Sequence, residues 1–133
     1  MTTNELLARL RERVVPAPQG VVAIYLFGSA ARGTATRSSD VDLGVLYEVT
    51  PPATLDGMGF ELATEIERVI GQPVDLVVLN RAPADLIHRV LRDGILVVES
   101  DRGRRIEFEV KARNEYFDLA PIRARYRRTQ AKA

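Results

Sequence analysis

Hydrophobic positions along the chain show two patterns, one typical of helices and one typical of strands. Apolar residues at helical spacing predict helices over residues 4–15, 55–70 and 83–93. Short, nearly continuous apolar runs predict strands over residues 21–27, 41–47, 74–79 and 95–98. The stretch from about residue 102 to residue 128 is predicted to form one long helix or two, interrupted near Pro121.

The order of these elements indicates the fold class. Strands that alternate with helices predict an α/β (α+β) fold, in which a small mixed sheet of about four strands is flanked by helices. Thr3 is the predicted N-cap of the first helix, and Pro83 the predicted first residue of the helix that ends at Gly94. A chain of 133 residues is expected to form a single domain over residues 1–133.

Composition excludes several classes of protein. Hydrophobic residues make up 46% of the chain and charged residues 28%, which is ordinary for a globular protein. No apolar stretch approaches the ~20 residues of a membrane span, and the N-terminus lacks a signal-peptide pattern. The absence of cysteine removes disulfides and thiolate metal sites. We therefore expect a cytoplasmic protein without a membrane partner.

Charge is unevenly distributed, although the net charge is only +1. Residues 102–133 carry ten Lys and Arg against four Asp and Glu, so the C-terminal segment is predicted to be basic and helical. It is either a solvated helical tail or a docking face for an acidic partner, nucleic acid or a triphosphate. Tyr116 and Tyr126 among its arginines favour helix packing over RNA recognition, so direct nucleic-acid binding is not expected, while homo-oligomerisation stays open.

Candidate phosphate chemistry lies where the first strand ends. Gly28 and Ser29 follow the apolar run directly and open a helix, which would present free backbone N–H groups and the positive end of a helix dipole. Gly28 lets the backbone approach a phosphate, and Ser29 adds a hydroxyl donor. Arg32, one turn further on, could reach the same phosphates.

Candidate metal chemistry lies at the second and third strands. Alternation sends Asp40, Asp42 and Gly44 to one face of the second strand, where Gly44 would leave space beside a metal. Two such carboxylates repel unless a cation lies between them, and oxygen ligands suit Mg²⁺ or Mn²⁺. Asp75 interrupts an otherwise apolar, buried strand, which is costly unless the acid is paired or bound to metal. Three such acids could hold two metal ions for an in-line phosphoryl displacement.

These residues resemble the nucleotidyltransferase superfamily of the DNA polymerase beta type. The pattern is Gly28-Ser29, then Asp40-Val41-Asp42, then Asp75. Within the superfamily, the chain is similar to the minimal nucleotidyltransferases, the antitoxins of HEPN/MNT toxin–antitoxin pairs. The resemblance extends over Leu91-Arg92-Asp93-Gly94-Ile95 and Tyr116-Phe117-Asp118, and so covers most of the chain.

The resemblance implies an enzyme with a defined reaction. Such a protein adenylyltransferase transfers AMP from ATP to a tyrosine hydroxyl of a cognate HEPN ribonuclease toxin and neutralises it. By position, Gly28 and Ser29 would hold the β- and γ-phosphates, with Arg32 as a further contact. Asp40 and Asp42 would hold both Mg²⁺ ions, and Asp75 would ligate one and help activate the acceptor hydroxyl.

Two other functions remain open at this point. The chain could be an antitoxin that acts by binding alone, or a nucleotidyltransferase that modifies a small molecule such as an aminoglycoside. The three acids argue against the first, and the short chain leaves little room for the substrate domain of the second. The spacing of Arg81 and His88 also resembles the Arg…His pair of HEPN ribonucleases, which we interpret as coincidence.

Overall fold

Helices and strands alternate along the chain as the hydrophobic pattern predicts. The computed structural model describes residues 1–36, 39–57, 59–118, 121–122 and 124–126. The strands are β1 (Val21–Phe27), β2 (Val41–Tyr47), β3 (Val74–Val78) and β4 (Ile95–Glu99). The α-helices are α1 (Thr3–Val14), α2 (Gly28–Arg32), α3 (Phe60–Ile70), α4 (Ala84–Asp93) and α5 (Arg102–Asp118), and a 3₁₀ turn spans Leu79–Arg81.

The strands form one mixed sheet in the order β3-β2-β1-β4. The central strand β1 is antiparallel to both β2 and β4, whereas β2 and β3 are parallel and joined through α3. The predicted fold class, a small mixed sheet of about four strands flanked by helices, is confirmed. In register, Phe27 of β1 faces Asp42 of β2, and Asp42 faces Asp75 of β3.

Each face of the sheet packs on its own core. One face meets α1 and α3 through an entirely apolar cluster, to which β2 contributes Val41, Leu43 and Val45. We call this the α1/α3 face. The opposite α4/α5 face has a smaller cluster that includes Tyr25, Leu46 and Val90. Because residues of β2 alternate between the faces, Asp42 and Gly44 lie on the α4/α5 face.

The start of α1 differs by one residue from the prediction. Thr2, rather than Thr3, is the N-cap: its hydroxyl accepts the Glu5 N–H at 3.1 Å, and the Glu5 carboxylate accepts the Thr2 N–H at 3.2 Å. Thr3 instead donates to the Ala30 carbonyl at 2.7 Å. The reciprocal cap satisfies two backbone groups, and Thr3 is left to tie α1 to α2.

The helix predicted from Leu55 begins five residues later, at Phe60. Gly59 precedes it with a φ of 84°, a left-handed conformation that ends any helical continuity with the preceding loop. Leu55 is exposed. Its side chain therefore does not belong to the apolar face that the sequence pattern suggested.

Helix α5 lies on the sheet through a polar network. The Tyr25 hydroxyl donates to Glu109 Oε1 at 2.7 Å, Arg105 donates to the same oxygen at 3.1 Å, and Arg105 also pairs with Glu99. Residues 121–122 and 124–126 are helical, whereas 119–120, 123 and 127–133 lie outside the described residues, so the predicted interruption near Pro121 stays a prediction. Within the described chain, every helix is too short or too polar to cross a bilayer.

Candidate active site

Two of the predicted acids lie side by side because β2 and β3 are parallel. Asp42 and Asp75 are register partners, and the neighbours of Asp42, Val41 and Leu43, point into the core of the α1/α3 face. The interpretation of Asp75 as an acid in a buried strand is wrong. Strand β3 is an edge strand and Asp75 is exposed. Register rather than burial therefore brings Asp75 to Asp42.

Gly28 lies directly against these carboxylates. Its φ is 71°, which favours glycine, and a Cβ built at this position would overlap the Asp42 carboxylate. Glycine is therefore needed at position 28 for two reasons: the positive φ of the turn and the close approach of Asp42. Helix α2 has only five residues, so any anion beside it would be bound by the N–H groups of its first turn more than by a helix dipole.

Partial burial and the negative charges around Asp42 raise the pKa of its carboxyl group. Partial burial is the largest cause, followed by the negative charges of Asp75 and Asp40, while the Arg32 guanidinium opposes the rise. Three like charges in one region destabilise the ionised form of Asp42. A bound cation would remove that penalty.

A cleft of about 480 Å³ joins most of the predicted site. It is lined by five residues singled out from the sequence, namely Gly28, Ser29, Arg32, Asp42 and Asp75. Four residues of α4 also line the cleft, namely Leu86, Arg89, Arg92 and Asp93. None of them was assigned a role in the site from the sequence, although Arg92 and Asp93 belong to a segment that resembles the family. Their spacing of three and four residues marks one face of a helix, a signal that becomes useful only once α4 is known to border the cleft.

Asp40 lies apart from this cleft. It precedes β2, is exposed, and lines a different cleft of about 310 Å³ beside the N-terminus of α1. Among the described residues, no three carboxylate, histidine or cysteine groups stand close enough together to enclose a metal ion. Asp40 nevertheless acts on Asp42 through its charge.

The prediction that Gly44 leaves open space beside the carboxylates is wrong. A Cβ at Gly44 would stand 3.2 Å from a methyl group of Leu79, because Leu79 fills the volume over this residue. Gly44 is buried. Its role is to admit a core side chain.

The pair Arg81 and His88 has no catalytic arrangement. Arg81 donates to the carbonyls of Pro52 and Gly57 at 3.1 and 3.2 Å and so holds the loop before α3. His88 stacks on Tyr116 of α5, with ring centroids 3.7 Å apart and planes within 4°. Both side chains have structural contacts that agree with a coincidental spacing.

Comparisons with known proteins agree with this geometry. A family model described as polymerase beta, nucleotidyltransferase matches residues 12–103. The protein adenylyltransferase MntA of Shewanella oneidensis is 36% identical over 95 residues, which are 71% of this chain but only 63% of that protein. The protein adenylyltransferase MntA of Thermococcus cleftensis is 36% identical over 88 residues, 66% of this chain and 81% of that protein.

A solved structure extends the similarity over the whole chain. One chain in a crystal structure of a toxin–antitoxin complex with AMP-PNP superposes with a TM-score of 0.74 at 28% identity, and 100% of both chains is covered. The match therefore includes the C-terminal part, which lies beyond the region matched by the family model.

Proposed function

Because the chain belongs to the polymerase beta family of nucleotidyltransferases, we propose that it is an antitoxin that transfers AMP from ATP to a tyrosine hydroxyl of a cognate HEPN toxin. The observation that carries the proposal is the single cleft that unites Gly28, Ser29 and Arg32 with Asp42 and Asp75. Two relatives named protein adenylyltransferase and a structural neighbour from a toxin–antitoxin complex with AMP-PNP support the reaction and the partner.

The transfer is a displacement at the α-phosphorus of ATP. The acceptor hydroxyl oxygen forms a bond to the α-phosphorus, and the bond from that phosphorus to the bridging oxygen of the β-phosphate breaks. Pyrophosphate leaves, and the hydroxyl proton passes to a base. Asp75 is suited to this role because it is an exposed carboxylate at the edge of the cleft, within reach of an incoming side chain.

The remaining residues bind and orient the nucleotide. The N–H groups at Gly28 and Ser29, with the Ser29 hydroxyl, are donors for phosphate oxygens, and the close backbone approach at Gly28 lets phosphates lie beside Asp42. Arg32 adds a positive charge on the same side of the cleft.

The donor set fits a hard divalent cation. Asp42 and Asp75 offer only oxygen, and repulsion by Asp75 and Asp40 helps to raise the pKa of Asp42, which a cation would reverse. We propose that Asp40, Asp42 and Asp75 hold Mg²⁺, with rotation of the exposed Asp40 and Asp75 side chains toward Asp42. The bound ions would neutralise phosphate charge and orient the reacting oxygens.

The proposal is tested with the purified chain, its cognate toxin, Mg²⁺ and ATP labelled at the α-phosphate. We expect the label to appear on the toxin, on a tyrosine identified by mass spectrometry, and the toxin's ribonuclease activity to fall as label accumulates. Neutralisation without transfer of label would contradict the proposal and indicate an antitoxin that acts by binding alone. Transfer of label to an aminoglycoside but not to the toxin would indicate a small-molecule enzyme.

A further inference from the structure

One face of α4 carries two arginines that the proposed reaction has not used. Leu86, Arg89, Arg92 and Asp93 line the active-site cleft, whereas Ile87 and Val90 on the other side of the helix are buried in the core. The cleft therefore lies between α2, with Gly28 and Ser29, and this polar side of α4. We refer to Arg89 and Arg92 as the α4 arginine pair.

We propose that the α4 arginine pair binds the β- and γ-phosphates of ATP, opposite Gly28 and Ser29, and holds the pyrophosphate as it leaves. This inference rests on the proposed function. It adds two substrate-binding residues and assigns them to the phosphates that depart, rather than to the adenosine or to the acceptor.

The distribution of charge in the cleft supports this assignment. The acids Asp42 and Asp75 lie on the strands, whereas the two helices that border them carry three cations, Arg32, Arg89 and Arg92, against one acid, Asp93. An anion placed between the helices meets positive charge on both sides, and metal ions bound to the acids would add to that field. The triphosphate is the part of the substrate that carries the negative charge this arrangement would attract.

Arg92 is already held in an orientation suited to such a ligand. Its Nε and one terminal nitrogen donate to the two carboxylate oxygens of Asp93 at 2.9 and 2.8 Å, a bidentate contact that fixes the guanidinium plane at the cleft. The Arg92 side chain is 58% exposed, so its ion pair with Asp93 is solvated and the remaining N–H donors of Arg92 are accessible. Arginine at such a position can bind phosphate oxygens through two parallel hydrogen bonds.

Arg89 is available for a ligand in a different way. It is exposed, and it takes part in none of the salt bridges formed within the described residues. Beyond Val77 and Leu86 the cleft adjoins a depression of about 260 Å³, whose lining is apolar except for Arg81. The Arg81 guanidinium already donates to two backbone carbonyls of the loop before α3, so the arginine side of the cleft is the better place for the anionic end of the nucleotide.

The test measures binding of Mg-ATP and of AMP to the full chain by titration calorimetry, without toxin. The variants are Arg89→Ala, Arg92→Ala, the double variant and Arg92→Lys. Arg9→Ala is the matched control, because Arg9 is an exposed helical arginine on α1, remote from the cleft lining. Thermal unfolding checks that each variant is folded.

We expect each alanine variant to bind Mg-ATP about tenfold more weakly and the double variant about a hundredfold more weakly, as for the loss of charged hydrogen bonds. AMP lacks the β- and γ-phosphates, so its affinity should not change. Arg92→Lys should recover part of the loss, and Arg9→Ala should match the wild type.

Several outcomes would overturn the inference. Unchanged Mg-ATP affinity in the variants would do so while leaving the proposed function intact, and so would equal losses for ATP and AMP. If ATP affinity is unchanged but the same variants label the toxin less in the α-phosphate transfer assay described above, the arginines would belong to the acceptor site instead. If the wild-type chain bound no Mg-ATP at all, the proposed function and this inference would fail together.

Discussion

The two faces of the sheet differ in composition, and the difference separates stability from chemistry. The α1/α3 face is covered by an uninterrupted apolar core that includes Leu10, Leu43 and Ile66, each at most 1% exposed. The α4/α5 face combines a smaller core with the acidic cleft and the network of Tyr25, Glu109 and Arg105. A strand can serve both purposes because its residues alternate between the faces.

Strand β2 shows this division within two residues. Leu43 is fully buried on the α1/α3 face, while Asp42 faces the cleft, half-buried among like charges. The apolar face stabilises the fold, so that the other face can carry carboxylates that repel each other. Substitutions on the two faces should therefore have different consequences, and the predictions below test that separation.

The largest effect is expected from the acids. Asp42→Ala and Asp40→Ala should each reduce AMP transfer by about a thousandfold or more, since loss of a metal contact removes several kcal/mol of transition-state stabilisation. The free energy of unfolding should not fall in Asp42→Ala, because burial and the neighbouring acids make the ionised carboxylate of Asp42 unfavourable in the folded protein. Transfer of labelled AMP and thermal unfolding would measure both, with the exposed loop substitution Asp56→Ala as control. Near-normal transfer by either variant would contradict the metal assignment.

Substitution of Leu43, next to Asp42 in β2, should lower stability and leave nucleotide binding intact. Leu43→Ala removes a fully buried side chain from the α1/α3 core and should lower the free energy of unfolding by about 2–5 kcal/mol. Wherever the variant remains folded, it should still bind Mg-ATP. Urea unfolding and calorimetric titration would separate the two quantities. A variant of normal stability that could not bind nucleotide would show that the two faces are coupled.

Gly28→Ala should affect both stability and binding, because Gly28 lies where backbone and cleft meet. Alanine at this position must keep a positive φ, at a cost of about 1–3 kcal/mol, and its Cβ overlaps the Asp42 carboxylate. We expect a lower unfolding temperature together with weaker Mg-ATP binding. Gly20→Ala has a similar positive φ but nothing within 4 Å, so it isolates the backbone strain. Equal behaviour of the two variants would mean that the approach to Asp42 is unimportant.

How far the sequence predicts this molecule depends on the range of the interactions concerned. The strands follow from apolar runs, and the bounds of β1 and β2 were predicted to the residue. Gly28, Ser29, Arg32, Asp42 and Asp75 were identified from residue type and spacing, and the structure brings them into one cleft. Local patterns suffice where a residue's role depends on its own strand or turn.

The errors arise where distant segments meet. Asp75 was placed in a buried strand, whereas β3 lies at the sheet edge, and strand order is set by pairing across the whole chain. Gly44 was given a role beside the metal because nothing in the sequence shows that Leu79 covers it. Arg89 was not singled out, and Arg92 was named only within a segment that resembles the family, since the role of both depends on α4 bordering a cleft formed by β2, β3 and α2.

The raised pKa of Asp42 predicts a dependence of stability on pH. Since the folded-state pKa lies above the unfolded one, the folded protein loses stability as pH rises through that range. Asp42→Asn, which resembles the protonated acid, should therefore raise the unfolding temperature at neutral pH. The gain is expected to be on the order of 1–3 °C, because the half-exposed group is screened by water.

Two further comparisons sharpen this prediction. The difference between Asp42→Asn and wild type should vanish below about pH 3, where the carboxyl is protonated in both the folded and the unfolded state. Mg²⁺ should raise the unfolding temperature of the wild type at neutral pH but not that of the variant. Asp56→Asn serves as the control for loss of an exposed charge. A variant less stable than wild type at neutral pH would contradict the electrostatic account of Asp42.

The smallest effect on nucleotide binding is expected on the part of the α4/α5 face remote from the cleft. Tyr25 is 4% exposed, and its hydroxyl donates to Glu109, so burial and that carboxylate raise the pKa of the phenol far above its usual range. Tyr25→Phe should lower the free energy of unfolding by about 1 kcal/mol, the net value of one hydrogen bond. Tyr47→Phe should change it little, because the Tyr47 hydroxyl forms no hydrogen bond within the described residues. Mg-ATP affinity should be unaltered in both, and its loss in Tyr25→Phe would show that the contact between α5 and the sheet also shapes the cleft.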